Sequence, residues 1–384
     1  MRKKICFAVT LAGTYKAFLL DLSHYLINEH NYDVTVICDT DESMYELTNE
    51  HLHYIPVKMK RGMSLDGLAA IFCLYKIFKR EKYDIVQYST RNAGTYASVA
   101  AWMAGIKCRL YCQWGMMFIA LKGFKRFLLW LDEKIITKVS TVIESESFSM
   151  YETAIEHGIY KKEKASVVWN GSACGVKLEN YELSNREEWR KQIRGNYNIP
   201  DDAIVFGWCG RITRDKGHNE LFKAFRQLNQ TNKKARLLMV GRYDNVESID
   251  QELFGWAQGC KEVIFTGPVP GDKVPVMYSA MDVFCSLSYR EGFGLVVIEA
   301  AAMGVPGIVS DALGQRDTIE DQETGLLVRT KNVDDVVKAM KTCINQPEKV
   351  VEMGAKARKC VEEKYDQNEL FRQLAEHRNQ LISQ

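Results

Sequence analysis

The sequence predicts an α/β protein made of two doubly wound domains, each a parallel sheet covered by helices. Three observations lead there. The chain has 384 residues, more than one ordinary core serves, so two domains are the default expectation. Its composition, 46% hydrophobic and 26% charged, is that of a globular protein able to bury two such cores. Short β-rich runs alternate with helical patterns, lapse once, and begin again.

The first series of strands reads "KICFAVT", "YDVTVICD", "DIVQYS", "CRLYCQ" and "VSTVIES". Segments such as "YKAFLLDLSHYLINEH" and "SLDGLAAIFCLYKIFKREK" separate them with apolar residues at helical spacing, and strands alternating with helices make a parallel sheet. After "ASVVWNGSACG" comes a polar, helix-like stretch, "SNREEWRKQIRGNYNIPDD", and then a second series: "AIVFGWCG", "ARLLMVG", "EVIFTG", "DVFCSLS", "GVPGIVS" and "GLLV". The lapse places the join near residues 170–185. We expect a first domain over 1–172, a second over 173–365, and a terminal helix over 366–384 that packs back towards the first.

Eleven cysteines are scattered from Cys6 to Cys360 without a C-x-x-C pair, which is the usage of a reducing compartment and not of a disulfide framework or zinc site. The start, "MRKKICFAVTLAGTYK", is basic like a signal peptide, but its short apolar stretch reads as a first buried strand. No window offers the ~20 uninterrupted apolar residues of a membrane span. A cytoplasmic location is expected. The net charge of +2 hides an asymmetry: from Lys58 to Lys138 there are 15 Lys or Arg against 5 Asp or Glu, and the remainder is net acidic.

In doubly wound domains ligands bind at the carboxyl ends of the strands. The segment "GWCGRITRDKGHNELFKAF" sits at such an end, carries Gly210 and Gly217, and opens a helix near His218, with Arg211 and Lys216 bracketing the turn. Glycines let the backbone approach an anion, a helix start offers free N–H groups, and the cations neutralise phosphate. Standing alone, this would read rather as an ordinary strand-to-helix loop with solvated charges. It has a companion. In "SYREGFGLVVIEAAAMGVPGIVSD", Glu291 lies in a glycine-rich turn and Glu299 about two turns along a buried helix, at ~1.5 Å of rise per residue. Leu295 to Ile298 and Ala300 to Ala302 leave almost no polar face, so these carboxylates are not there for solubility. Carboxylates accept paired hydrogen bonds from vicinal hydroxyls, which sugars and riboses present, and two at this spacing could hold both sugars of a nucleotide sugar.

These residues resemble a known family. "EGFGLVVIE" is similar to the E-x7-E motif of retaining glycosyltransferases of the GT-B fold, in the large family 4 group, and "GRITRDKG" resembles that group's phosphate-binding segment. The likeness runs along nearly the whole chain, through "VWNGSACG", "EVIFTGPVPGDKVPVMYSAMDVFCSLSYREG" and "ETGLLV". Within the group, "KRGMSLDGLAAIFCLYKIFKREKYDIV" and "FKRFLLWLDEKIITKVSTVI" look most like capsular and exopolysaccharide enzymes. The resemblance implies two Rossmann-like domains facing across a cleft, and retaining transfer from a UDP-sugar to a lipid-linked saccharide such as a polyprenyl diphosphate sugar. It implies that Arg211 and Lys216 grip the diphosphate, that Glu299 takes the ribose hydroxyls and Glu291 the transferred sugar, and that the backbone around Gly210, Phe293, Gly294 and Leu295 approaches the donor. Gly13 in "TLAGTYK" would line the amino-domain side. No cofactor or metal is called for, since no trustworthy D-x-D ends a strand, and nucleic acid is not an expected partner.

The chain departs from the family at the amino-domain side. "CQWGMMF" places Trp114 where relatives often have a histidine, Gln87 and Ser89 follow "DIV" where relatives carry histidines, and Gly13 stands where they often have a glycine pair. Trp114 reads as core or as a stacking platform for a sugar ring. Three rivals are weaker. A dinucleotide-dependent oxidoreductase needs G-x-G-x-x-G after the first strand, which "TLAGTYKAF" lacks. Another GT-B enzyme, such as a UDP-sugar epimerase, would lack basic membrane-facing helices, and a non-catalytic scaffold would tolerate loss of the four charges, all of which are present.

The basic stretch carries one more expectation. In "ALKGFKRFLLWLDEKIITK", Phe124, Phe127, Leu128, Leu131 and Ile135 recur at helical spacing beside Lys122, Lys125, Arg126 and Trp130. Such a stripe reads either as core with a solvated basic face or as a helix lying on an anionic membrane. The local excess of positive charge favours the second, so the enzyme is expected at the inner face of the cell membrane.

Overall fold

The computed structural model describes residues 2–59 and 65–383, with the backbone alone for Leu65 and Asp66. Lys60 and Arg61 of the basic stretch, and residues 60–64 of the segment likened to capsular enzymes, lie outside the described residues. The chain forms two compact units: Met1–Cys174 with Asn368–Gln384, and Gly175–Gln367.

The first unit holds seven strands: β1 (Lys3–Ala8), β2 (Tyr32–Cys38), β3 (Leu52–Pro56), β4 (Ile85–Ser89), β5 (Cys108–Gln113), β6 (Val142–Ser145) and β7 (Ala165–Ser166). They pair in parallel in the order β3-β2-β1-β4-β5-β6-β7. The order reverses between β1 and β4, and at that switch point the Thr10 and Thr90 hydroxyls share a hydrogen bond of 2.8 Å. All five residues of β4 and the last four of β1 are buried, as expected for strands covered on both faces.

The helix Gln367–Ser383 completes this unit. Leu370, Phe371, Leu374 and Ala375 enter the same core as β1 and β2. One turn on, Arg378 is 1% exposed and forks onto Glu144 of β6, Nη1 to Oε2 at 2.7 Å and Nη2 to Oε1 at 3.0 Å. Nη2 also donates to the Gln87 side chain at 3.0 Å, and the His377 ring lies 3.1 Å from Glu144 Oε2. Burial alone would raise the Glu144 pKa, but the guanidinium and His377 hold it well below the usual carboxylate range.

The second unit holds β8 (Ile204–Ile212), β9 (Ala235–Tyr243), β10 (Val263–Gly267), β11 (Val283–Ser286), β12 (Gly307–Ser310) and β13 (Gly325–Val328). All pair in parallel, in the order β10-β9-β8-β11-β12-β13, with the reversal between β8 and β11. Helices His218–Thr231 and Val333–Asn345 bury their apolar stripes on one face, and Leu295–Ala302 with part of Pro347–Lys364 covers the other. Both sheets are thus doubly wound. Among the described residues no helix is long and apolar enough to cross a membrane.

Candidate active site

In the second unit the residues singled out by sequence gather where the carboxyl ends of β8 and β11 meet. β8 runs into the turn Thr213–Gly217, whose last residue is held at φ +78°; a Cβ there would sit 2.1 Å from the Leu287 carbonyl oxygen, so only glycine lets the turn press against the end of β11. The Tyr289 amide donates to the Asp215 carbonyl at 2.9 Å, joining this turn to the loop that carries Glu291.

Lys216 and Glu291 come together directly. Lys216 Nζ lies 2.5 Å from Glu291 Oε1, which also accepts from the Ser288 hydroxyl at 2.6 Å, and both charged side chains are about four-fifths buried, with 23% and 19% exposed. The Glu291 amide donates to the Leu313 carbonyl at 3.2 Å. Gly294 adopts φ +106° ahead of helix Leu295–Ala302, Phe293 is buried with its ring 5.4 Å from Tyr365, and Leu295 is half-buried. Glu291 thus precedes this helix by a few residues in the loop that leads into it.

Glu299 lies deeper, with Oε2 accepting from the Tyr278 hydroxyl at 3.0 Å. Burial raises its pKa, opposed by that hydrogen bond. Cys209 of β8 adjoins both, its thiol pushed up to about 12 by burial and then by the neighbouring Glu299 charge. Gly210 follows with φ +140°, and Arg211, more than half exposed, reaches Asp244 after β9 at 2.7 Å. Sequence reasoning found the four charged groups and missed the partners that hold three of them, Ser288, Tyr278 and Asp244. The last two come from other strands and helices, and their positions carry no local signal.

Gly13 and Trp114 belong to the first unit. Gly13 is exposed at the start of helix Ala12–Phe18, after β1, and a Cβ there meets nothing within 4 Å, so packing does not require a glycine. Trp114 follows β5, half-buried, its ring 5.3 Å from Phe18 at the far end of that helix. Further along this unit, helix Gly123–Val139 exposes Phe124 (72%) and Phe127 (52%), together with Leu128, Leu131 and Ile135, and leaves Lys122, Lys125 and Arg126 in solvent. Trp130 differs from them: it is half-buried and its Nε1 donates to the His157 carbonyl at 3.0 Å. Among the described residues no group of three or more His, Cys, Asp or Glu is arranged to hold a metal.

The second unit can therefore present two cations and a helix start to an anion, and two carboxylates to hydroxyls. Comparison with known proteins identifies the family. Residues 4–146 match the sequence family described as "Glycosyl transferase 4-like", and residues 189–360 match "Glycosyl transferases group 1". A "Capsular polysaccharide biosynthesis glycosyltransferase CapM" from Staphylococcus aureus is 30% identical over 93% of this chain and 92% of its own. A "UDP-Gal:alpha-D-GlcNAc-diphosphoundecaprenol alpha-1,3-galactosyltransferase" from Escherichia coli is 23% identical over 86% of this chain and 84% of its own. Among solved structures, Anabaena HepE in complex with UDP superposes with a TM-score of 0.79 at 18% identity, covering 98% of this chain and 99% of that one. The fold is GT-B, and the chain belongs to the group 1, 4-like family of glycosyl transferases.

Proposed function

We propose that this glycosyltransferase moves a hexosyl or N-acetylhexosaminyl group from a UDP-sugar to a lipid-linked saccharide, with retention of configuration, in the synthesis of a surface polysaccharide. The observation that carries the reading is the Lys216–Glu291 pair at 2.5 Å in the loops that follow β8 and β11, with Arg211 at the end of β8 and Glu299 in the helix after β11. A relative named for transfer from UDP-Gal to a diphosphoundecaprenol acceptor, and a similar fold holding UDP, support the choice of donor and acceptor class.

Arg211 and Lys216 take the diphosphate charge, so the reading calls for no metal. Glu299 accepts from the ribose hydroxyls, and Glu291 meets the transferred sugar. The acceptor oxygen bonds to the anomeric carbon on the face from which the phosphate oxygen leaves. The bond between the anomeric carbon and the phosphate oxygen breaks with its electron pair on UDP, and the acceptor proton passes to the departing phosphate. Charge placed in advance and the alignment of two reactants supply the acceleration. Gly13 and Trp114 serve the acceptor side, Trp114 by offering a ring for stacking.

The test is a panel of UDP-sugars, with sugars of other nucleotides beside them and a synthetic polyprenyl diphosphate saccharide as acceptor, read by mass spectrometry. A disaccharide product with one UDP-sugar is expected; no product across the panel, or product only from donors with other bases, refutes the reading. UDP is also expected to raise the unfolding temperature, and Arg211→Ala or Lys216→Ala to weaken that rise, each removing a charge-assisted contact worth about 1.5–3 kcal/mol. Equal stabilisation in all three proteins would refute the phosphate assignment.

The acceptor's lipid implies a membrane surface. The exposed rings of Phe124 and Phe127 beside Lys122, Lys125 and Arg126 fit an anionic leaflet, and Leu68, Phe72, Trp102 and Met103 are exposed on two further helices of the same unit. Each basic residue near such a leaflet contributes about 1 kcal/mol. Sedimentation with phosphatidylglycerol liposomes is expected, lost at high salt and reduced by charge reversal at Lys122, Lys125 and Arg126. Equal binding to neutral liposomes, or none to anionic ones, would remove the membrane from the proposal.

A further inference from the structure

His218 opens helix His218–Thr231, and its side chain is wholly buried, with its ring 4.4 Å from that of Trp208 on β8 and 5.7 Å from that of Phe222. Nδ1 lies 2.5 Å from the Thr213 carbonyl oxygen. A carbonyl only accepts, so Nδ1 carries the proton and donates. Nε2 is buried with no hydrogen-bond partner.

An orphaned buried acceptor lowers stability, and a phenylalanine would fill the same aromatic slot without one. Burial pushes the His218 pKa down to about 4, so the ring stays neutral and contributes no charge. What remains specific to histidine is the single bond from Nδ1. Its acceptor has a second donor: the Lys216 amide also points at the Thr213 carbonyl, at 3.4 Å. One carbonyl thus joins the buried ring to the backbone of the lysine that pairs with Glu291.

We infer that His218 is a positioning residue for the phosphate-binding turn, holding Lys216 in place through the Thr213 carbonyl at a cost in stability. The inference rests on the donor site proposed above. It is independent of which sugar is carried.

Two variants separate positioning from packing. His218→Phe keeps the ring and loses the donor; His218→Asn restores a side-chain N–H near the place of Nδ1 and loses part of the ring. UDP and inorganic pyrophosphate are titrated calorimetrically into wild type and both variants, and thermal unfolding is measured without ligand. His218→Phe should unfold at the wild-type temperature or above yet bind both ligands roughly tenfold more weakly, the loss of one hydrogen bond. His218→Asn should unfold earlier yet recover most of the affinity. Wild-type affinity in His218→Phe overturns the inference, as does a loss of affinity that follows unfolding temperature across the two variants, or a loss for UDP but not pyrophosphate. Failure of wild type to bind either ligand would sink the donor site and this inference with it, whereas equal binding in all three proteins sinks this inference alone.

Discussion

Glu291→Gln is expected to lower turnover by about 10²- to 10³-fold while leaving UDP affinity within a few-fold of wild type. The amide keeps the shape of the side chain and its bond from Ser288, and loses only the charge that Lys216 Nζ approaches at 2.5 Å. In the proposed transfer, positive charge grows at the anomeric carbon as the phosphate departs. A carboxylate fixed beside the transferred sugar is worth more in that transition state than in the ground state, and only such a difference raises kcat. Lys216, released from its partner, can turn wholly to the diphosphate, so binding of UDP itself does not suffer. Glu299→Gln should show the opposite pattern. Its carboxylate, oriented by Tyr278 at 3.0 Å, would accept from the ribose, so UDP affinity falls first. Because burial raises the Glu299 pKa, wild-type affinity should also decline towards acid pH earlier than an ordinary glutamate would dictate, as the acceptor becomes protonated. Calorimetry with UDP beside steady-state transfer reads both. Wild-type turnover in Glu291→Gln, or equal losses of UDP affinity in the two variants, would end this division of labour.

Arg378→Met should destabilise the first unit by about 3–5 kcal/mol at neutral pH, because it leaves Glu144 ionised and buried without its cation. The pH dependence carries the signature. In wild type the depressed Glu144 pKa contributes stability that is fully present above the ordinary carboxylate pKa and is lost as pH falls through the lower folded value. In the variant, desolvation is no longer outweighed and the Glu144 pKa rises, so the folded state gains relative stability on acidification. The gap between the two proteins should therefore narrow from pH 7.5 to pH 4.5 in denaturant titrations. Adding Glu144→Leu to Arg378→Met should restore much of the loss, since a buried pair is costly chiefly when half of it is removed. A gap that is the same at both pH values, or a double variant no better than the single, would show that the pair does not act this way.

The second unit was legible because its strands are apolar along their length. Phe206, Leu237, Leu238, Met239 and Phe284 are all fully buried, and such runs stand out from the polar loops around them. The first unit hid two strands. β3 lies at the sheet edge with only Leu52 buried and ends on Pro56, and β7 is two residues long, so neither has a run to recognise. At the candidate site, spacing revealed Glu291, Glu299, Arg211 and Lys216, since each motif is continuous in sequence. Tyr278 is 21 residues from Glu299 and Asp244 is 33 from Arg211, distances over which only the fold can bring a partner. Trp130 shows the same limit: helical spacing grouped it with the exposed rings, yet the carbonyl of His157 draws its indole inward. The terminal helix left a clue that spacing could have used. Arg378 falls four residues after Leu374, on the stripe of Leu370, Phe371, Leu374 and Ala375, and a lone charge on an apolar stripe asks for a buried counter-ion.

The placement of that helix also sets an order of events during synthesis. The strands of the first unit leave the ribosome long before Leu370, Phe371 and Leu374, which belong to their core, have been added. At roughly 5–20 residues per second, the intervening Gly175–Gln367 occupies on the order of 10–40 seconds, during which the edge of that core and the Glu144 carboxylate wait uncovered. The second unit has every element it needs within one continuous stretch of chain. All seven strands of the first sheet are made before it, so what comes after the second unit in the chain is not the amino-side sheet but the helix that closes that sheet's core.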